Sequence, residues 1–218
     1  MSRESGLQTF RDSDGLWAGH DVYEVCHINA WHRQPEVVLD FYNERRREIK
    51  SAQPNAGHLC IASLEEHFDV TVITQNIDDL HERAGSSHVV HLHGEIFLSR
   101  SESNPLLFVP SLDDVSLGDF APDGCQLRPH VVFFGEDVPM IVQASQFVQN
   151  CNIFVVVGTS LAVYPAAGLL REARNATKWL IDPHPPQMDD RLRVKVIAEP
   201  ASAGLPKLQS QLISQSCS

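Results

Sequence analysis

Short apolar runs alternate with amphipathic segments along this chain, and this alternation limits the folds open to it. The clearest run, residues 153–157, contains Ile, Phe and three Val and is followed by Gly158. Segment 35–49 instead has apolar residues at helical spacing and a basic cluster toward its carboxyl end, where the helix dipole favours cations. Strands that alternate with helices form a parallel α/β sheet. We predict strands at 70–74, 89–92, 131–134, 153–158 and 178–181, and helices at 35–49, 55–66, 141–148, 166–174 and 205–213.

The composition argues against several classes of partner. The chain has 17 Lys and Arg against 28 Asp and Glu, a net charge of -11, whereas nucleic-acid binding needs basic surface that displaces counterions. No apolar stretch approaches the ~18 residues that span a bilayer. The five cysteines are odd in number and form no CxxC pair, which is typical of reduced thiols in the cytoplasm. We predict a cytoplasmic monomer without nucleic-acid or membrane partners.

Polar side chains follow two of the predicted strands. Gln75, Asn76 and Asp78 come directly after the strand at 70–74, and His93 follows the strand at 89–92. Ligands of open parallel sheets bind at the carboxyl ends of strands, so amides, a carboxylate and a candidate base are expected in one place. A lone His is more often a surface or core residue. His91 and His93 share one face, but no neighbours at ligand spacing make them a metal site.

Gly158, Thr159 and Ser160 follow the most apolar strand. Small residues at this position let backbone N–H groups approach a phosphate or a ribose. The alternative is an ordinary turn between a strand and a helix, and the three residues alone do not decide between the two.

Four longer stretches resemble the sirtuins, the NAD-dependent protein-lysine deacylases, and come closest to the bacterial members. They are TQNIDDLHERAG at 74–85, HGE at 93–95, RPHVVFFGE at 128–136 and GTSLAVYPAA at 158–167. The resemblance covers almost the whole chain. It implies NAD as cofactor, acylated lysine side chains of proteins as substrates, and His93 as the general base that takes a proton from the nicotinamide ribose.

The same resemblance extends to the N-terminus, where ESGLQTFRDSDGLW at 4–17 is similar to the family's cofactor-binding loop. Phe10 would cover the nicotinamide, and Arg11 would contact the cofactor or fix the loop. The alternative is a flexible polar terminus. Asp182, in place of the usual Asn, and the segment 200–202 fall where the family contacts the adenosine. The implied cofactor contacts are Ser2, Glu4, Ser5, Gly6, Phe10, Arg11, Trp17, Gln75, Asn76, Ile77, Asp78, Gly158, Thr159, Ser160, Asp182 and Ala201.

The substrate contacts are implied in the same way. FYNERRR at 41–47 is similar to the sirtuin subclass that removes acidic acyl groups. There, Tyr42 and Arg45 would hold the acyl carboxylate, since a guanidinium can bind a carboxylate with two hydrogen bonds. The alternative is an exposed Tyr lying over an aliphatic Arg stem. The acyl-lysine peptide would add as a strand along Val132, Phe133, Phe134, Gly135 and Glu136, with Phe133 in place of the usual Trp.

The sequence departs from the family at two places. The family begins with a buried strand and a GAGIS turn, but Met1 and Ser2 stand where the last two residues of that turn fall. The family's four zinc cysteines are also missing from 99–127, where only Cys125 remains, and one thiolate cannot hold a structural zinc. We expect one domain, 1–218, with a Rossmann-like parallel sheet truncated at its N-terminus. A zinc-free insert at about 99–127 would be stabilised by apolar contacts of Leu106, Leu107, Phe108 and Leu112.

The sequence therefore predicts an NAD-dependent protein-lysine deacylase that prefers succinyl or malonyl groups and also removes acetyl groups. The acyl group would leave on ADP-ribose, with release of nicotinamide. Two alternatives remain. One is a degenerate sirtuin that binds NAD, ADP-ribose or acyl-lysine without turnover, and the other is an NAD hydrolase.

Overall fold

Two parallel sheets form the framework of the protein in the computed structural model, which describes residues 1–8, 16–17, 19–159 and 161–216. The strands are β1 Leu16–Trp17, β2 His20–Asp21, β3 Val72–Thr74, β4 Val89–His91, β5 Gly94–Ser101, β6 Phe108–Pro110, β7 Leu127–Val131, β8 Ile153–Val157, β9 Thr177–Ile181 and β10 Val194–Ile197. The helices are α1 Val22–Val25, α2 Ile28–Arg33, α3 Pro35–Ser51, α4 Ala56–Ser63, α5 Leu80–Arg83, α6 Ile141–Asn150, α7 Leu169–Glu172 and α8 Ala201–Ser216. Short 3-10 turns lie at Ser2–Ser5, Leu64–Glu66, Ala166–Gly168 and Asp190–Leu192.

The predicted parallel pairing is present. One sheet has the order β10-β9-β8, with Val155 opposite Trp179, and the other pairs β3 with β4, with Thr74 opposite His91. β8 consists almost entirely of β-branched residues, the composition of strands that are covered on both faces. Both sheets direct their carboxyl ends toward the segments that carry the polar residues singled out in the sequence.

Helices cover these sheets with their apolar faces. α3 buries Val38, Phe41 and Ile49 in the core. α4 begins with a capping box, in which Asn55 and His58 satisfy each other's backbone N–H groups, and it packs against α8. Among the described residues, no helix combines the length and apolarity that a bilayer crossing requires.

A third, antiparallel sheet with the order β6-β5-β7 lies at the predicted insert. The expectation that Leu106, Phe108 and Leu112 stabilise this region is wrong, because these side chains are 85%, 51% and 59% exposed. β6 is an edge strand and turns Phe108 outward. Buried here instead are Val115, Ala121 and Ser111, with Ser99 and Ser101 at the end of β5.

The predicted strand at 131–134 is displaced. The observed strand β7 ends at Val131, and Phe134 makes only an isolated parallel bridge with His27. The reason is the antiparallel partner β5, which the sequence analysis did not predict and which pairs with residues from Leu127 to Val131. β10 was also not predicted.

Candidate active site

His93 stands at the carboxyl end of the β3–β4 sheet with one ring nitrogen fixed. Its Nδ1 lies 2.9 Å from the carbonyl oxygen of Gln75. Because a carbonyl only accepts hydrogen bonds, Nδ1 carries the proton and Nε2 keeps a lone pair. Burial lowers the pKa of His93, and the bond to Gln75 opposes that shift. The result is a neutral imidazole, oriented to accept a proton through Nε2.

Beside this imidazole, three polar side chains form a buried network. The Ser2 hydroxyl donates to Oδ2 of Asp78 over 2.7 Å, and Nδ2 of Asn76 donates to the Ser2 oxygen over 2.6 Å. Oδ1 of Asp78 accepts the N–H of Leu80. Burial raises the pKa of Asp78, and these hydrogen bonds counteract part of the rise. The network fixes Asn76 and Asp78 in the orientation that a bound ligand would meet.

The second parallel sheet reaches the same place through Gly158 and Thr159. Nε2 of Gln75 donates to the Thr159 hydroxyl over 3.4 Å, so the carboxyl ends of β3 and β8 meet. Gly158 has φ 60°, and a Cβ at this position would lie 2.8 Å from the backbone nitrogen of Met1. Only glycine allows this approach without strain. Ser160 lies outside the described residues.

Residues of the N-terminal segment are used mainly for contacts within the protein. Both carboxylate oxygens of Glu4 accept the N–H groups of Ala201 and Ser202 and so cap the start of α8. Ser5 accepts a hydrogen bond from Asn55, and Gly6 adopts φ 85°. The predicted cofactor contacts Phe10 and Arg11 lie outside the described residues.

Three further predicted cofactor residues are placed near this site or at the sheet edge. The Trp17 indole donates to the carbonyl of Gln8 over 3.2 Å. Ile77 is buried, and its carbonyl accepts the N–H of Ile96. Asp182 follows β9, is 1% exposed, and accepts the N–H of His184 over 2.9 Å.

Tyr42 and Arg45 are brought together on the inner face of α3, but both are buried. Tyr42 is 1% exposed, packs on Phe133 with ring centroids 5.6 Å apart, and is hydrogen-bonded to the Cys26 thiol. Arg45 is 3% exposed and directs Nε and Nη2 to the carboxylate of Glu48, both over 2.8 Å. Its Nη1 is buried and has no hydrogen-bond partner within the described part of the chain.

The backbone that follows β7 connects this pair to His93. The N–H of Val132 donates to the carbonyl of His93 over 2.9 Å, and the next residue, Phe133, packs on Tyr42. Phe133 donates its N–H to Glu136, and Phe134 donates its N–H to Cys26. The N–H groups at 132–134 are therefore already used inside the protein.

Glu136 was predicted to contact substrate, but its carboxylate is hydrogen-bonded to groups within the protein. It accepts hydrogen bonds from Arg100, from Arg128 over 2.8 Å and from the N–H of Phe133 over 2.7 Å. Burial raises the pKa of Glu136, but the two guanidinium groups outweigh it and lower the pKa overall. Gly135 turns the chain with φ 88°, and a Cβ at this position would lie 3.0 Å from the side chain of Ile28.

The sequence analysis missed two carboxylates beside the site. Oε1 of Glu82 lies 2.7 Å from Nε2 of His91, and this contact outweighs burial and raises the pKa of His91. Glu48 holds Arg45. Spacing offered a signal for Glu48, which lies three residues after Arg45 on one helix face. Glu82 and His91 lie on different elements, so no local pattern connects them.

A parallel α/β fold with a neutral histidine, amides and a glycine turn at the carboxyl ends of its strands is the architecture of a nucleotide-dependent enzyme. Comparison with known proteins identifies the family to which this enzyme belongs. A model of the Sir2 family matches residues 1–165, and the chain belongs to that family.

Curated relatives agree over nearly the full length. The NAD-dependent protein deacylase of Helicobacter pylori is 47% identical over 214 residues, which cover 98% of this chain and 93% of the relative. The NAD-dependent protein deacylase of Bacteroides thetaiotaomicron is 48% identical over 220 residues, covering 98% and 94%. A mutant Sir2 homologue solved with ADP-ribose superposes with TM-score 0.88 at 32% identity, covering 99% of this chain and 89% of that one. A Sir2 homologue solved with NAD gives TM-score 0.86 at 32% identity, covering 98% and 86%.

Proposed function

We propose that this protein is an NAD-dependent protein-lysine deacylase. The observation that carries the proposal is the neutral imidazole of His93, which Gln75 orients with its Nε2 lone pair free beside the Ser2–Asn76–Asp78 network. The residues fit NAD, because Gln75, Asn76 and the Gly158 turn line one cavity at the carboxyl ends of β3 and β8, and Asp78 is connected to Asn76 through Ser2. Gln75, Asn76, Asp78, Gly158 and Thr159 would hold the cofactor.

When bound, NAD supplies a ribose carbon with nicotinamide as leaving group, which the acyl oxygen of the substrate lysine displaces. Asn76 and Asp78 order the ribose and the nicotinamide amide through their fixed polar atoms. His93 then accepts a ribose hydroxyl proton at Nε2, a step for which a base with a pKa near or below neutrality is suited. With one water consumed, the acyl group would be transferred to ADP-ribose, and the free lysine amine and nicotinamide would be released.

The proposed preference for succinyl and malonyl groups depends on Arg45 of helix α3. Nη1 of Arg45 is a buried donor with no hydrogen-bond partner among the residues that the structure describes, and a buried cationic N–H left unpaired is costly. A carboxylate at the end of a succinyl or malonyl group would satisfy it, and the Tyr42 hydroxyl would become a second donor by exchanging the Cys26 thiol for this carboxylate. An acetyl group would lack this contact, so acetyl-lysine would be the poorer substrate.

The first test is mass spectrometry of a succinyl-lysine peptide incubated with the protein, with and without NAD. We expect NAD-dependent loss of the succinyl group and no loss with His93→Ala. His32→Ala, which removes an exposed imidazole, is the matched control. Binding of ADP-ribose without turnover in the parent would indicate the non-catalytic alternative. Free ADP-ribose formed without any acyl peptide would indicate an NAD hydrolase.

The acyl-pocket assignment has its own test. In Tyr42→Phe/Arg45→Met, the ratio of kcat/KM for succinyl over acetyl peptide should fall at least about tenfold, as expected for losing a charge-assisted hydrogen bond. Arg47→Met removes an exposed Arg from the same helix and should leave the ratio unchanged. An unchanged ratio in the double variant would overturn the assignment.

The remaining proposals rest on composition. We infer a single domain, 1–218, with the small insert at about 99–127, and a cytoplasmic monomer that does not bind nucleic acid or membranes. The net charge of -11 supports the absence of nucleic-acid binding. Light scattering coupled to size exclusion tests the monomer.

A further inference from the structure

A buried cation in α3 is held by a carboxylate one turn further along the same helix. Only 3% of the Arg45 side chain is exposed, and a charge buried to this extent requires a partner. Nε and Nη2 of Arg45 each donate to one carboxylate oxygen of Glu48, both over 2.8 Å. Because two parallel hydrogen bonds join two planar groups, Glu48 fixes the rotation and tilt of the guanidinium as well as its position.

An aromatic ring holds one face of the same guanidinium. Cζ of Arg45 lies over the Phe41 ring, 5.0 Å from its centroid, a distance at which a cation is attracted to the ring. Phe41 is itself buried and is fixed by edge contacts with Trp17 and Tyr42, at centroid distances of 5.3 and 5.2 Å. The guanidinium is therefore held along one edge by Glu48 and over one face by Phe41.

This arrangement determines where the third nitrogen of Arg45 points. Covalent geometry places Nη1 away from the edge that Nε and Nη2 share. Nη1 is buried and has no hydrogen-bond partner among the described residues. An acyl carboxylate at Nη1 and the carboxylate of Glu48 would therefore lie on different edges of the guanidinium, with the cation between them. Glu48 fixes the direction of Nη1 without using this donor.

A second carboxylate, that of Glu44, has a weaker contact with the same guanidinium. Its Oε1 lies 3.3 Å from Nη2 of Arg45, and 53% of the Glu44 side chain is exposed, against 37% for Glu48. Side chains of adjacent helix positions do not face each other, and an ion pair this exposed contributes little. Without Glu48, Glu44 would be the carboxylate that remains, and it would draw the guanidinium toward solvent.

We propose that Glu48 is a positioning residue for acyl specificity, which holds Arg45 so that Nη1 faces the carboxylate of a succinyl or malonyl group. This role rests on the proposed function, in which Arg45 contacts the acyl group. Glu48 acts only through Arg45. Because an acetyl group has no carboxylate, its binding does not depend on the direction of Nη1. Glu48 also balances the buried charge of Arg45 while an acetyl group is bound, which allows one pocket to accept both kinds of substrate.

Peptide binding without NAD tests this role independently of turnover. The probes are a succinyl-lysine and an acetyl-lysine peptide of one sequence, each with a fluorescent label, and the readout is fluorescence polarisation. In Glu48→Ala, the Kd of the succinyl peptide should rise at least about fivefold, as expected when a charge-assisted hydrogen bond is misdirected, and the Kd of the acetyl peptide should stay unchanged. Glu44→Ala, which removes the neighbouring carboxylate, is the matched control and should change neither Kd.

Two further measurements separate positioning from a general effect on the fold. In Arg45→Met, adding Glu48→Ala should not change the ratio of the two Kd values any further, because the residue through which Glu48 acts is gone. Glu48→Gln keeps the shape of the side chain and one acceptor oxygen, so it should recover part of the succinyl affinity. With NAD present, KM for the succinyl peptide should rise in Glu48→Ala while kcat stays unchanged.

Several results would overturn the positioning role. Tighter succinyl binding in Glu48→Ala would mean that Glu48 competes with the acyl carboxylate for Arg45. Equal weakening of both peptides would mean that Glu48 supports the fold, and an unchanged ratio, or a parent that binds both peptides equally, would mean that it positions nothing. The deacylase function is tested separately, by NAD-dependent loss of the acetyl group from the acetyl peptide, which requires neither Arg45 nor Glu48.

Discussion

The protonation state of His93 connects a single hydrogen bond to the pH range of activity. Burial lowers the pKa of the imidazole from its usual value near 6.5, against the opposing effect of the Gln75 carbonyl. The base must be neutral, so activity is lost only as the pH falls through the lowered pKa. We expect the acid limb of kcat/KM for the succinyl peptide to lie below pH 6.5 in a profile from pH 4.5 to 9. An acid limb above 6.5 would contradict the placement of this imidazole.

The glycine that follows His93 is fixed by its backbone. Gly94 has φ 82°, and a Cβ there would lie 2.0 Å from the carbonyl oxygen of His130. Because backbone atoms make this contact, side-chain repacking does not relieve it. Gly94→Ala should lower the free energy of unfolding by more than about 3 kcal/mol in urea denaturation.

Gly118 provides the matched control for this substitution. It also has positive φ, at 93°, but a Cβ there meets nothing within 4 Å. Gly118→Ala carries only the conformational penalty of about 1 kcal/mol. Equal losses in the two variants would show that φ, not the contact with His130, sets the requirement for glycine.

At the scale of elements, the insert is closed by a polar cluster. The Ser101 hydroxyl donates to Asp123 over 2.6 Å and accepts the N–H groups of Ser103 and Asn104. The other carboxylate oxygen of Asp123 accepts the N–H of Cys125. Hydrogen bonding to Ser101 lowers the pKa of Asp123. These contacts join the two ends of the insert next to the one cysteine that remains there.

This cluster leads to a prediction about metal. Within the described residues, no group of three His, Cys, Asp or Glu side chains could hold an ion, and one thiolate is too few for structural zinc. Elemental analysis of purified protein should find no stoichiometric zinc, and a chelator should leave Tm unchanged. One zinc per chain, or a Tm that falls on chelation, would refute the prediction.

The elements that the sequence predicted are those whose pattern is local. β8 and α3 follow from a β-branched run and from helical spacing. β5 escaped prediction because it carries buried polar residues, Ser99, Arg100 and Ser101, in the place of alternating apolar ones. Arg100 is accommodated there by Glu136, 36 residues away. Such a partner lies outside any local window.

The candidate site also has a part that the sequence predicted and a part that it did not. Positions after strands identified Gln75, Asn76 and His93 by type. The contacts that orient the network are not local, since Ser2 reaches Asp78 across 76 residues. Glu4 similarly caps α8 across 197 residues, which neither residue type nor spacing could have indicated.

For the whole molecule, the sheets are separate but share one end. Gln75 and Thr159 connect β3 with β8 at the candidate site. Over the rest of their length, a cavity of about 790 Å³ separates these two strands. The site is therefore held by contacts at the strand ends more than by a continuous ladder.

The stability of the molecule should depend on pH through a buried pair of histidines. His58 and His81 lie with ring centroids 4.9 Å apart, 0% and 5% exposed. Burial lowers the pKa of His58 to about 3 and that of His81 to about 4. In the unfolded chain both imidazoles have a pKa near 6.5, so below this pH they bind protons that they do not bind in the folded protein. The contribution of this pair to the free energy of unfolding is therefore fully present above pH 6.5. It decreases as the pH is lowered toward the folded pKa values.

Each imidazole should remove about 2 kcal/mol from the free energy of unfolding between pH 7 and pH 5. Urea denaturation across this range measures the loss. His81→Gln removes one of the two groups and should roughly halve the pair's contribution, whatever its effect at pH 7, while His32→Gln serves as the exposed control. His91 acts in the opposite direction, because Glu82 raises its pKa and the folded protein binds that proton more tightly. A slope in His81→Gln as steep as in the parent would mean that His81 is protonated without unfolding and that other groups cause the pH dependence.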